Sequence, residues 1–291
     1  MPRGIDHVVI AVRDLDAARK TYERLGFILT PEARHPFGTA NTIAQLDGSF
    51  IELLGIADSA AIPPATDAEF SFGAFNRRYL ESREGMSMLA LHSDDAAGDR
   101  ADFAARGLPV YEPFHFERMA KGSDGIERPL SFSVTFTSDA RMPDAGVFTV
   151  HHEHPENFWR EFYQYHPNGV TRIAAVVLAA PDPADFHEFF FHVTGQHDMR
   201  SDSMGVAIDT GSGRIELMTP VAVEALYGET VEAAAKPHFV ALRLAAKDLD
   251  AVRTGLSANG IAFREIARRV VVPASEACGV AIAFAAEAET D

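Results

Sequence analysis

GIDHVVIAVRDLDAARKTYERLGF, residues 4–27, decides the fold of this chain. Asp6–Val12 is an apolar, β-branched run, the pattern of a buried strand. Asp14 to Asp16 supplies a helix start. Leu15, Ala18, Tyr22 and Leu25 recur at helical spacing, and Gly26 stops the helix. The same order returns three times: GMSMLALHSDDAAGDRADFAARGL at 85–108, GVTRIAAVVLAAPDPADFHEFFFHVTG at 169–195, and HFVALRLAAKDLDAVRTGLSANGI at 238–261. Repetition at this scale means that the fold must be read unit by unit. Each unit is too small to bury a core alone, so units pack on each other. The cleft between packed units is where chemistry is expected.

In the first unit, Phe27–Thr30, Ala40–Leu46 and Ser49–Leu54 read as strands after the helix, with Asp47-Gly48 as a hairpin turn. The unit is therefore β-α-β-β-β. The second repeats this order with strand Ser87–His92, helix Ala96–Ala105 closed by Gly107, and strands Val110–Glu117, Leu130–Ser138 and Gly146–His152. Arg118–Arg128, with Gly122, Asp124 and Gly125, reads as an irregular loop. The linker HEHPENFWREFYQYHPNG, residues 152–169, holds the only Trp, Trp159, and predicts a short helix packed over the junction. Units three and four run from Val170 to about Pro220 and from Pro237 to Phe284.

The chain has 291 residues and a formal net charge of −16. Nucleic acid and anionic membrane are poor partners for that balance, because phosphate binding needs clustered Lys and Arg. A single cysteine, Cys278, excludes an intrachain disulfide and a multi-thiolate metal site. No run of about twenty apolar residues predicts a membrane helix, and the opening is interrupted too soon by Arg13 and Asp14 for a signal peptide. The expectation is a cytoplasmic protein with a small-molecule substrate; a homodimer stays open.

The repeated unit with its GIDHVVIAVRDLDAA opening resembles the vicinal oxygen chelate superfamily. RHPFGTAN at 34–41 and HHEHPENFWREFYQYHPNG at 151–169 resemble its glyoxalase-like domain family. The resemblance implies an α+β fold of four βαβββ modules. They pair into two cup-shaped mixed sheets with outer helices, one half over residues 1–160 and the other over 169–291. It also implies a divalent metal ion (Zn, Fe, Ni or Mn) in a cup, held by a His of the first strand and a carboxylate or His of a fourth strand.

His7 stands at that first-strand position. Glu52, in FIELLGI, is costly inside a half-buried strand unless paired or metal-bound, which makes it a ligand or a proton-moving base. Met88 stands at the position of His7 in unit two and is a poor ligand. Alternation in VFTVHHEHP aligns His152 with Phe148 and Val150, so His152 is the second histidine ligand, with His151 the fallback if the register slips. Arg34, His35 and His92 are candidate substrate contacts. In the second half, Arg172 and Phe239 replace His7 while Glu216 matches Glu52, so an Arg172–Glu216 ion pair is expected instead of a metal. The expected activity is a metal-dependent lyase or isomerase on an oxygen-rich substrate. The alternative is a metal-free binding protein of the same fold.

Overall fold

The computed structural model describes residues 2–121, 126–233 and 235–289. The first half runs β1 (Ile5–Ala11), α1 (Leu15–Arg24), β2 (Ala33–Arg34), β3 (Thr39–Gln45), β4 (Phe50–Ile56), α2 (Phe72–Ser82), β5 (Gly85–His92), α3 (Ala96–Ala105), β6 (Phe114–Lys121), β7 (Glu127–Thr137), β8 (Gly146–His152) and α4 (Pro155–Phe158). The second runs β9 (Val170–Ala179), α5 (His187–Thr194), β10 (Met199–Asp202), β11 (Gly205–Asp209), β12 (Arg214–Met218), α6 (Pro220–Tyr227), β13 (His238–Ala246), α7 (Leu249–Ala258), β14 (Arg264–Ile266), β15 (Arg269–Val272) and β16 (Ala281–Ala286).

Two eight-stranded mixed sheets result, ordered β2-β3-β4-β1-β5-β8-β7-β6 and β10-β11-β12-β9-β13-β16-β15-β14. The order is the same in both. In each, the first strands of the two modules pair antiparallel at the centre, β1 with β5 and β9 with β13. The acidic turn repeated in the sequence has one local job: Asp14, Asp95, Asp182 and Asp248 each accept a hydrogen bond from a backbone N–H of the helical turn that follows.

One core joins the halves. Val8, Ile10, Val176 and Leu242 of the central strands share it with Tyr22 of α1, Phe103 of α3, Phe190 of α5 and Leu256 of α7. The helices are thus outer to each cup but inner to the molecule. At the seam, Gly85 has φ +135°, and a Cβ there would sit 2.6 Å from the Gly279 carbonyl oxygen. Gly85→Ala should therefore cost about 1–3 kcal/mol of stability. An unchanged denaturant midpoint would show that the seam yields freely.

The structure departs from the sequence reading in four places. Phe27–Thr30 is not a strand, because Phe27 and Leu29 turn into the core and Pro31 follows. The edge strand is Ala33–Arg34 instead. Arg118–Arg128 is mostly hairpin, with Phe114↔Val134 through Lys121↔Glu127 in register; Gly122, Asp124 and Gly125 lie outside the described residues. Helices α2 and α6, capped by Ser71 and Thr219, had no counterpart in the periodicity reading. They decide the fate of the two cups. Helix α6 starts directly after β12 and lays Ala222, Val223 and Tyr227 against Val177, Ala241 and Ala283, filling the second cup. Helix α2 starts sixteen residues after the end of β4, packs Tyr79 and Leu80 near Ala11, and adds only Phe72 to the wall of the first cup's cavity.

Candidate active site

The open cup holds a cavity of about 60 Å³ walled by phenyl rings, among them Phe37, Phe50, Phe116, Phe132 and Phe148. Its polar atoms come from His7, His35, Asn41, Glu52, Arg118 and His152. In such a setting each polar group must find a partner or bear the cost of desolvation.

A β-bulge builds the polar floor. Ile5 pairs with Leu91 and His7 with Ala90, so Asp6 is an extra residue in β1. Asp6 consequently reaches the ring of His7 and the end of β8. Its Oδ1 accepts from His7 Nδ1 at 2.6 Å, and its Oδ2 lies 3.2 Å from His152 Nε2. Burial pushes the Asp6 carboxyl up, but the charge of His152 and the hydrogen bonds from His152, His7 and His92 outweigh it, and the group titrates well below its usual range. Asp6 thus holds one nitrogen of each ring. The other nitrogens face elsewhere: His7 Nε2 lies 3.8 Å from Glu52 Oε2, and His152 Nδ1 is buried with no hydrogen-bond partner.

Glu52 sits on β4 beside Val9 of β1. Asn41 Nδ2 donates to its Oε1 at 2.6 Å, leaving Oε2 toward His7. Burial raises the Glu52 carboxyl above its ordinary value, against the lowering effects of His7, Asn41 and Arg118. His35 lines the cavity, stacks on Phe37 and bonds Thr39 Oγ1 through Nδ1 at 2.8 Å. Burial, then the charge of Arg118, pushes it down to about 3, so it stays neutral.

The remaining candidates separate. His152 faces the cavity, while His151 turns away to the Ser93 carbonyl at 3.0 Å. Arg34 is exposed, pairs with Glu32 at 3.1 Å and lines an outer vestibule. His92 is exposed, near Asp94 and the back of Asp6, and is not part of the cavity wall. Asp6 and Arg118 carry no sequence signal by spacing. Asp6 is visible only through the bulge, and Arg118 only through the hairpin that replaces the expected loop. Among the described residues, no three His, Cys, Asp or Glu side chains are grouped so as to hold a metal ion as they stand.

Pairing registers correct the repeat alignment. His7 lies opposite Phe50, two residues before the Val9–Glu52 pair. In β9 the equivalent residue is Ala175, opposite Arg214, two before the Val177–Glu216 pair. In β13 it is Ala241, opposite Ala281. Arg172 and Phe239 are therefore out of register, because β9 begins earlier and carries bulges that a glycine-anchored alignment skips. The buried ion pair does form in the second cup, but between Arg243 Nη2 and Glu216 Oε1 at 2.6 Å.

Asp6 makes acid stability testable. Its folded pKa is depressed, so its contribution is present above its ordinary value of 3.8 and is lost as pH falls through the lower folded value. Denaturant stability of wild type should fall more steeply below about pH 4 than that of Asp6→Asn. Parallel curves would mean that Asp6 gains nothing from its three histidines.

No curated protein is significantly similar in sequence to this chain. Solved structures show the architecture widely. A hypothetical protein from Staphylococcus aureus superposes with TM-score 0.69 at 11% identity, over 98% of this chain and 99% of its own. The Mn(II)-bound glyoxalase from Novosphingobium aromaticivorans gives 0.59 at 13% identity, over 99% and 84%. A variant of 4-hydroxymandelate synthase from Streptomyces coelicolor gives 0.50 at 14%, over 90% and 76%. These likenesses show the shared fold. The sequence itself matches the glyoxalase-like domain family across residues 5–194, from the first strand of the open cup to the end of α5, and the chain belongs to that family.

Proposed function

We propose that the open cup is the active site of a metal-dependent lyase or isomerase, acting on a small substrate through two neighbouring oxygens. The observation that carries this reading is the line Asp6–His7–Glu52. A buried carboxylate fixes one imidazole and aims its free nitrogen at a second buried carboxyl, the arrangement that orients metal-binding histidines. The donor set fits a divalent ion: His7 Nε2, Glu52 Oε2 and the unpartnered His152 Nδ1 would hold it. The Mn(II) in the Novosphingobium relative supports a divalent cation, with Zn, Fe, Ni and Mn all compatible with these donors. Such an ion supplies Lewis-acid stabilisation of charge developing on the substrate oxygens.

The protein does the rest. Phenyl walls exclude water and strengthen each electrostatic contact inside. Where Glu52 Oε2 is not a ligand of the ion, the carboxyl, raised by burial, is instead suited to take a proton from a substrate carbon and return it. Asn41 holds one carboxyl oxygen so that the other faces the substrate. His35, neutral, contacts substrate by hydrogen bonding rather than charge, and Arg34 acts at the vestibule. His92, behind Asp6, tunes the floor from outside. Residues 1–160 form the working half and 169–291 the supporting half, whose cup is filled.

Metal analysis after expression with Mn, Zn, Fe and Ni tests this reading. Close to one equivalent of ion is expected. Less than about 0.2 equivalents of any of them would leave the metal-free binding protein as the better account, given the affinity of a three-donor site.

A further inference from the structure

Arg118 stands at the neck between the cavity and a vestibule of about 680 Å³, and lines both. Two features set this vestibule apart from the rest of the surface. The chain as a whole carries a net charge of −16, yet the vestibule is lined by Arg34, Arg118 and Arg160 against one acidic residue, Glu32. Glu32 is already paired with Arg34. Arg118 and Arg160 join no ion pair among the described residues. The second feature is that Arg118 Nε is buried without a hydrogen-bond partner. Buried unpaired donors on a cation are costly, and the cost is relieved by an anion that arrives with the ligand. Glu52 acts on Arg118 through charge at a distance but makes no ion pair with it, being held by Asn41 and facing His7.

The apolar walls limit what can enter. A cavity of about 60 Å³ takes roughly five water molecules, so it suits a carbon body of a few atoms. A phenyl wall rejects an anion, which must therefore stay at the neck. We propose that the substrate is a small organic carboxylate bound with its short carbon body inside and its carboxylate on the Arg118 fork, Arg160 adding positive potential outside. This rests on the reading of the cavity as the reaction site, and it adds the substrate class. The planar guanidinium matches two carboxylate oxygens at once, and the locally positive mouth draws anions to a protein that otherwise repels them.

The test uses the full chain stripped of metal by chelation, so that no ion can bind the probe. Hexanoate and its neutral counterpart hexanamide are titrated by calorimetry and by the fluorescence of Trp159. Trp159 is the only Trp, and its ring contacts Phe158 and His152, which line the cavity. Hexanoate should bind at least about tenfold tighter. The preference should vanish in Arg118→Met, survive partly in Arg118→Lys, and weaken in Arg160→Met. Equal binding of the two probes, no saturable binding of either, or a preference that persists in Arg118→Met overturns the proposal. The wild-type comparison stands even if a variant does not fold. Metal content of untreated protein reports separately on the enzyme reading. Metal without carboxylate preference overturns the substrate class alone. Preference without metal supports the carboxylate site and overturns the enzyme.

Discussion

Arg243→Met should destabilise the protein by about 3–5 kcal/mol, because it leaves Glu216 as an uncompensated buried carboxylate. Arg243 and Glu216 lie 2.6 Å apart and are both buried in the filled cup. Among the described residues, a hydrogen bond to this carboxylate comes from Tyr227, whose hydroxyl donates to Oε2 at 3.3 Å. Burial raises Tyr227, so its proton stays in place, but a neutral donor cannot replace a cation. At about 2–4 °C per kcal/mol for a chain of this size, the melting temperature should drop on the order of 10 °C. Arg243→Met with Glu216→Leu should recover most of that loss, since a buried pair can be exchanged for apolar side chains at little cost. The surrounding residues, Val177, Ala241 and Ala283, are already apolar. A double variant as unstable as the single one would show that the pair is not isolated from the packing of α6.

His7→Ala should lower metal affinity by more than about 100-fold, since loss of a mere orienting partner already costs 10–100-fold. The fold should survive. The inward core of β1 is built from Val8 and Ile10, on the opposite face, and His152 still holds Asp6. The bland alternative is that His7 only satisfies Asp6. The same change would then lower stability by about 1–3 kcal/mol with no change in bound metal. Metal content and melting temperature of one variant decide between them. A His7→Ala protein that keeps its metal removes His7 from the proposed ligand set.

Local chemistry was legible in the sequence wherever it repeats. An apolar strand, acidic cap, amphipathic helix and closing Gly occur four times, and each piece folds by short-range rules: β-branched packing, an Asp on helix N–H groups, a left-handed glycine after the helix. The repetition marks out four α+β units, and their pairing into two cups is what the resemblance to the vicinal oxygen chelate superfamily implies. Strand alternation favoured His152 over His151 but left the register open; the fold puts His152 on the cavity wall and His151 on the Ser93 carbonyl.

What the sequence could not carry is whatever depends on register between strands and on what fills a cup. A bulge at Asp6 is invisible to a period-two pattern, yet it delivers the carboxylate that orients two histidines. The equivalence of His7 with Ala175 and Ala241 follows from pairing partners, not from the nearest glycine. Both modules of the second cup carry alanine there, and Ala241 shares a cluster with Ala222, Val223 and Tyr227 of α6. In the first cup α2 arrives on a longer tether and adds Phe72 to a wall of phenyl rings, and a cavity remains. Whether a concave sheet becomes a core or a cavity is set by the volume that reaches it from distant segments. That volume is a property of the tertiary structure, and no local pattern encodes it.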